Sequence, residues 1–182
     1  MREQIPADSI ICNGAGNFAG WWHRYWRYEG FPSQLAPTAG AMGYGVPAAV
    51  AAARRFPDRT VVAVAGDGDF LMNGQEIATA VQHGCDMLVI VVDNAAYGTI
   101  RMHQEREYPA RISATELQNP DFAQFAASFG AWSARAETTQ EFKAALDEAQ
   151  KRKGVRLIHC LIDIEQLAAS GATVSALRTP LS

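Results

Sequence analysis

The sequence predicts a doubly wound α/β domain, with a mostly parallel sheet and helices on both faces. Three observations carry this. Short β-rich apolar runs alternate with stretches of helical spacing along the chain. Two of the runs, residues 60–65 (TVVAVA) and 87–92 (MLVIVV), have almost no polar position, as strands buried on both faces do. The turns after residues 12, 65 and 92 are polar and mostly glycine-rich, and in such sheets ligands sit beyond the carboxyl ends of the strands.

Taken in order, residues 9–12 read as a short strand running into Asn13-Gly14-Ala15-Gly16, with an aromatic-heavy helical stretch over 18–28. The Ala-rich segment 43–55 has the spacing of a closely packed helix. The strand at 60–65 ends at Gly66-Asp67-Gly68, and residues 73–83 read as the next helix. The strand at 87–92 ends at Asp93-Asn94, and a polar segment surrounds residues 101–111. Asn119 or Pro120 starts a helix to Phe129, and residues 131–134 form a weak strand. Thr138 or Thr139 caps a helix through Lys151, with Glu141 near its start and lysine at its end, matching the helix dipole. Residues 155–162 are the last strand. After Glu165 the pattern fades, so the expected domain has a core at about 8–164 and a peripheral tail at 165–182.

A chain of 182 residues with 48% hydrophobic composition is the size of one domain. Its net charge of −3 and scattered basic residues give no electrostatic hold on nucleic acid or an anionic membrane. Cys12, Cys85 and Cys160 are too few and too far apart for a disulfide framework or zinc site, and each adjoins an apolar run as small buried thiols do. No stretch approaches the length of an uncharged membrane span, and Met1-Arg2-Glu3 opens no apolar signal core. A cytoplasmic protein in a reducing compartment is expected.

The chemistry concentrates at the strand ends. A buried strand running into a glycine-bracketed carboxylate presents backbone N–H groups to an anion. Asp67 would repel a bare phosphate, so the arrangement calls for a divalent cation between them, since Mg²⁺ is commonly held by one or two carboxylates plus phosphate oxygens. Taken alone, Gly-Asp-Gly is equally a plain βα turn, and Asn94 an Asx turn. Their combination narrows the choice: an adjacent parallel strand would bring Asn94 beside Asp67. The Asn94 side-chain oxygen and the Ala96 carbonyl could then complete a hard-oxygen shell.

The stretch GDGDFLMNGQEIATAVQHGCDMLVIVVDNAAYGTI resembles the diphosphate-binding motif of thiamine-diphosphate enzymes. The upstream TAGAMGYGVPAAVAAARRFPDRTVVAVAGDG and NGAGNFAGWWHRYWRYEGFPSQ are similar to the same domain in the acetolactate synthase and benzoylformate decarboxylase branch. The resemblance spans roughly residues 10–164. It implies Mg²⁺ on Asp67, Asn94 and the Ala96 carbonyl, and a diphosphate lined by Gly66, Gly68, Asp69, Tyr97 and Gly98. It further implies that the Gly40 carbonyl receives the cofactor's 4′-amino group. Met42 would be the apolar wedge that folds the two cofactor rings together. Asn13, Gly14, Gly16 and Asn17 would border the cofactor from the first strand end.

The resemblance also implies what lies elsewhere. In this family the glutamate that activates the cofactor belongs to a separate pyrimidine-binding domain, and neither that domain nor the usual middle domain is matched here. The chain is therefore expected to be a C-terminal part of a longer enzyme or one subunit of a split one, inactive alone, and working as a homodimer or tetramer. Thr99, Ile100 and His103 fall where substrate is shaped. His103 and Thr99 stand where acetolactate synthases carry tryptophan and methionine, a departure from the strict acetolactate synthase pattern, while apolar Ile100 and nearby small residues suit a modest 2-oxo acid. Both an acetolactate synthase-like carboligase and a benzoylformate decarboxylase-like enzyme are carried forward. A nicotinamide-binding Rossmann domain, through Gly14-x-Gly16-x-x-Ala19, and an interaction domain without cofactor are more remote; both leave the Asp67/Asn94 pair unexplained. Trp21, Trp22, Tyr25, Trp26 and Tyr28 lack a basic groove for nucleobase stacking and are read as core or interface. The histidines show no metal-ligand spacing, and His159 is read as a satisfied core residue.

Overall fold

The computed structural model describes residues 3–178. Six parallel strands form one sheet in the order β2-β1-β3-β4-β6-β5. In chain order the strands are β1 (Ile10–Asn13), β2 (Gln34–Leu35), β3 (Val61–Gly66), β4 (Met87–Asp93), β5 (Trp132–Ala136) and β6 (Val155–Leu161). The helices are α1 (Ala19–Tyr25), α2 (Gly45–Arg55), α3 (Asp67–Asn73), α4 (Glu76–Gln82), α5 (Gly98–Glu107), α6 (Phe122–Ser128), α7 (Thr139–Gln150) and α8 (Val174–Arg178). Among these described residues no helix is long and apolar enough to cross a membrane.

The two-residue period of the pleat sorts the central strands between two cores. Val61, Ala63 and Ala65 of β3 and Met87, Val89 and Val91 of β4 face one side, where Val46, Ile77 and Phe122 of α2, α4 and α6 pack. Val62, Val64, Leu88 and Ile90 face the other, against Trp22 of α1 and Leu146 of α7. Both faces are covered, which is why these runs carry no polar alternation. The chain leaves β1 toward the β2 edge and later returns past it to β3, so the connections diverge between β1 and β3.

Three elements depart from the sequence expectation. The helix expected at 73–83 is found as α4, Glu76–Gln82. It is preceded by a helix that was not expected, α3, which begins at Asp67 with Gly66 as its extended N-cap at φ −75° and ψ 165°. The polar segment near residues 101–111 is largely α5. Strand β2 was not expected; its two residues pair with Ile11 and Cys12. The caps agree better. Thr138 and Glu141 form a reciprocal capping box, and Asp121, one residue past the expected start, accepts the amides of Ala123 and Gln124 at 2.9 and 3.0 Å.

The fading pattern after Glu165 still contains buried side chains, Leu167 and Val174. Arg178 of α8 donates to both carboxylate oxygens of Glu105 on α5, at 2.9 and 2.8 Å. The terminal residues of the expected 1–182 domain, 1–2 and 179–182, lie outside the described residues. Cys12 and Cys85 are buried and Cys160 half-buried, with all three thiols free.

Candidate functional site

The register that pairs Gly66 with Val92 sets Asp67, the residue that follows β3, beside Asp93, the last residue of β4, at the carboxyl edge of the sheet. Asp67 is 4% exposed. Its Oδ1 accepts the Gly68 amide at 2.9 Å, and its Oδ2 accepts the Ala96 amide at 3.1 Å and the Asn119 side-chain amide at 2.8 Å. Burial pushes its carboxyl up to about 6, against the hydrogen bonds from Asn119 and Gly68, and the neighbouring Asp93 charge adds to the rise. Asp93 moves the opposite way. Burial would raise it, but hydrogen bonds from His159, Ala95 and Asn119 outweigh that and hold it below the usual carboxylate range.

Asn94 Oδ1 accepts the Ala96 amide at 3.2 Å, closing the Asx turn expected at this strand end. The chain then reverses through Ala95 at φ +55°, and the loop is pinned to residues 115–117. Ala95 O accepts the Leu117 amide and Thr115 O the Tyr97 amide, both at 2.8 Å. The Ala96 carbonyl accepts the Gly98 amide at 2.8 Å, which leaves it one lone pair.

Asp69 lies one helical step further in, 3% exposed. Its Oδ1 accepts the Gly43 amide at 2.8 Å and the Ala15 amide at 3.2 Å, while Oδ2 has no partner. Burial pushes this carboxyl to about 6 as well, opposed by those two amides. Gly14 permits the approach: a Cβ there would lie 2.0 Å from Asp69 Oδ1. Gly68 does the same for the Tyr97 ring, which a Cβ would meet at 2.6 Å.

These loops enclose a cavity of about 310 Å³ at the carboxyl edge of the sheet. It brings together Gly16, Asn17, Gly40, Met42, Gly66, Asp67, Gly68, Asp69, Asn94, Ala96, Tyr97, Gly98, Thr99 and Ile100, all singled out from the sequence. Thr99 Oγ1 accepts the Asn17 amide at 3.0 Å, joining α5 to the first loop. Asn13 and Gly14 do not line this cavity; they border a neighbouring hollow with Ala15 and Gly40. His103 is exposed and lines neither. The sequence reading missed Phe18, Trp21, Val92, Ile162, Gln166 and Leu167 as lining residues. All but Gln166 are apolar, a character that marks packing as readily as a pocket wall. It also missed Asn119, whose position before Pro120 reads as a helix start.

Trp22 and Trp26 are buried in the core, as read, while Trp21, which lines the cavity, and Tyr25 are partly exposed. His159 is buried and meets Asp93 Oδ2 through Nε2 at 2.8 Å, but its Nδ1 has no hydrogen-bond partner. The histidine is thus only half satisfied.

The donor set fits a hard cation. No Lys, Arg or His among the described residues forms an ion pair with Asp67 or Asp69, so two desolvated carboxylates face this region without a counter-charge. Asp67, Asn94 and Ala96, which carry carboxylate, amide and carbonyl oxygens, line one cavity. Among the described residues no cluster of three or more His, Cys, Asp or Glu could hold a metal ion, which sets aside a site made of such side chains alone.

Fold and site together define a doubly wound domain with a cavity at the carboxyl edge of its sheet, lined by the loops that follow β1, β3 and β4. Residues 14–160 match the model of the thiamine pyrophosphate enzyme C-terminal TPP binding domain, and the chain belongs to that family. It is 32% identical over 190 residues to the acetolactate synthase isozyme 2 large subunit of Escherichia coli (strain K12), covering 100% of this chain and 34% of that protein. It is 34% identical over 166 residues to the 3D-(3,5/4)-trihydroxycyclohexane-1,2-dione hydrolase of Bacillus subtilis (strain 168), covering 87% of this chain and 26% of the relative. Among solved structures, benzoylformate decarboxylase from Polynucleobacter necessarius superposes with a TM-score of 0.83 at 27% identity, over 90% of this chain and 32% of that one. The chain thus spans about a third or less of the relatives it matches. Family membership displaces the nicotinamide-binding alternative.

Proposed function

We propose that this chain carries the diphosphate end of thiamine diphosphate through a Mg²⁺ ion held by the Asp67 carboxylate, the Asn94 side-chain oxygen and the Ala96 carbonyl. Asp67 carries the reading, because it is a buried carboxylate without a cationic partner, joined in one cavity by two neutral oxygen donors. Gly66, Gly68, Asp69, Tyr97 and Gly98 would surround the diphosphate. Gly40 and Met42 would meet the cofactor's rings, with Asn13, Gly14, Gly16 and Asn17 at the border. When bound, thiamine diphosphate supplies the carbon nucleophile and electron sink for decarboxylating a 2-oxo acid. The chain's own residues bind, orient and exclude water. The acid that activates the cofactor is expected on another domain, so the 182-residue chain alone turns over no substrate. Detectable 2-oxo acid decarboxylation by the purified chain would overturn that point.

We read the whole enzyme as an acetolactate synthase-like carboligase acting on a small 2-oxo acid, cytoplasmic and working as a homodimer or tetramer. The relatives at 32–34% identity support this branch. The second reading is a benzoylformate decarboxylase-like enzyme, favoured by the structural likeness at a TM-score of 0.83. Thr99 and half-exposed Ile100 at the cavity wall would contact substrate in either case, with His103 farther out.

Calorimetric titration of thiamine diphosphate with and without Mg²⁺, on the chain and on Asp67→Ala, tests the cation clamp. Binding should require Mg²⁺ and lose that requirement, together with most of its affinity, in the variant. Binding indifferent to Mg²⁺ would sink the clamp.

A further inference from the structure

Beside the Asp67 carboxylate lies a polar chain, half-buried at Asn119 and buried at Asp93 and His159, that the cofactor reading does not use. Asn119 Nδ2 donates to Asp67 Oδ2 and to Asp93 Oδ1, each at 2.8 Å. The amide orientation follows from chemistry: an amide oxygen turned toward two carboxylates would place three acceptors together, whereas the –NH₂ group has one hydrogen for each. Asp93 is fixed in turn. Its Oδ1 also accepts the Ala95 amide at 2.8 Å, and its Oδ2 accepts His159 Nε2 at 2.8 Å. The carboxylate can only accept, so Nε2 carries the hydrogen. The imidazole packs edge-on against Phe122, with centroids 5.0 Å apart and planes at 74°, and Phe122 is fully buried.

Lone-pair accounting gives this chain a consequence. Asp67 Oδ2 already has two donors, Ala96 N and Asn119 Nδ2, and is saturated. Asp67 Oδ1 has one donor, Gly68 N, and keeps a lone pair. A carboxylate in this state can offer a cation one oxygen, which suits small octahedral Mg²⁺. Ca²⁺ readily takes a carboxylate through both oxygens and tolerates irregular shells.

We propose that Asn119, held by Asp93 and His159, is a positioning residue that limits Asp67 to single-oxygen coordination and so biases the site toward Mg²⁺ over Ca²⁺. The proposal rests on reading Asp67 as the cation ligand. Removing Asn119 opens one lone pair of Oδ2, which keeps only the longer Ala96 bond, and so allows the carboxylate to offer a cation its second oxygen. Removing the His159 donor loosens Asp93 and, through it, Asn119.

The test is calorimetric titration of the full chain with Mg²⁺ and, separately, Ca²⁺ at saturating thiamine diphosphate, with thermal unfolding recorded for every variant. Asn119→Ala should weaken Mg²⁺ about 10- to 100-fold, as loss of a residue supporting a metal ligand does, and Ca²⁺ much less. The Ca²⁺/Mg²⁺ affinity ratio should therefore rise about tenfold. His159→Leu should shift the ratio in the same direction. His159→Gln, whose amide can still donate to Asp93, should restore it. An unchanged ratio in Asn119→Ala, or in His159→Leu if the former does not fold, while Asp67→Ala abolishes binding of both ions, overturns this proposal and leaves the clamp standing. Cation binding that survives Asp67→Ala, or is absent from the unmodified chain, overturns the clamp and this proposal together.

Discussion

The Asp69 carboxylate accepts the Gly43 amide at 2.8 Å, and this bond joins the first turn of α3 to the loop that carries Gly40 and Met42. The same oxygen accepts Ala15 N, so one side chain ties three strand-end loops together. Asp69→Ala strands two amides, at a cost of ~2–3 kcal/mol in stability. Asp69→Asn keeps an acceptor while removing a buried charge. A carboxyl raised in the folded state from 3.8 to about 6 lets the fold bind more protons than the unfolded chain, so stability falls as pH rises through that window. Asp69→Asn should flatten its share of this fall and unfold no earlier than the parent at pH 7.5. Thermal melts at pH 4.5, 6 and 7.5 check both variants.

Gly68→Ala drives a methyl group to 2.6 Å from the Tyr97 ring. Tyr97 must swing into the cavity or the α3 start must shift, and either reshapes the pocket beside Asp67 and Gly98. Affinity for thiamine diphosphate with Mg²⁺ should drop at least about tenfold, while the stability loss stays near ~1–2 kcal/mol, typical of overpacking. Calorimetry and urea unfolding separate the two effects.

Glu105 is 1% exposed and is paired with Arg178 and Arg101. The Arg178 hydrogen bonds, aided by Ala110 N and Arg101, outweigh burial and hold its carboxyl down to about 2 from an ordinary 4.5. A depressed folded value contributes stability above 4.5 that disappears as pH falls through about 2. Glu105→Gln should lose ~2 kcal/mol at neutral pH, since buried Arg101 loses its carboxylate while the Arg178 pair is partly solvent-screened. It should also show a flatter stability curve between pH 4.5 and 2. Denaturant melts across that range decide it.

Asp121→Ala removes the acceptor for two amides at the start of α6 and should lower stability by ~1 kcal/mol, with Asp121→Ser recovering most of it. Urea unfolding of the two variants provides the comparison.

The strands were legible because each central one carries its own signal, an apolar run ended by a polar turn. Residues 60–65 and 87–92 became β3 and β4 within one residue at each end. Helix α5 was not legible. GTIRMHQERE has no apolar stripe; its inward anchors are Arg101 and Glu105, a charged pair whose burial depends partly on Arg178, far along the chain. The α3 start was hidden because Gly66 and Gly68 suggest a turn, whereas Gly66 caps the helix and Gly68 lies within it. Most of the cavity lining could be read from motif spacing. Asn119 could not, since its significance comes from standing between two carboxylates, one at the start of α3 and one at the end of β4.

Asp67 and Asn94 follow directly from neighbouring strands whose separation is set by ladder hydrogen bonds, whereas Thr99 and Ile100 ride on α5, which is tied to its surroundings by side-chain bonds such as Arg178 to Glu105 and Asn17 N to Thr99 Oγ1. One end of the pocket is therefore built to the fixed gauge of the sheet, while the other is carried on a helix that no ladder holds. Under the proposed function, changes in the residues of α5 would alter what the pocket accepts while leaving the gauge untouched, so that one scaffold would serve differently shaped reactants through the replacement of a few side chains on one helix.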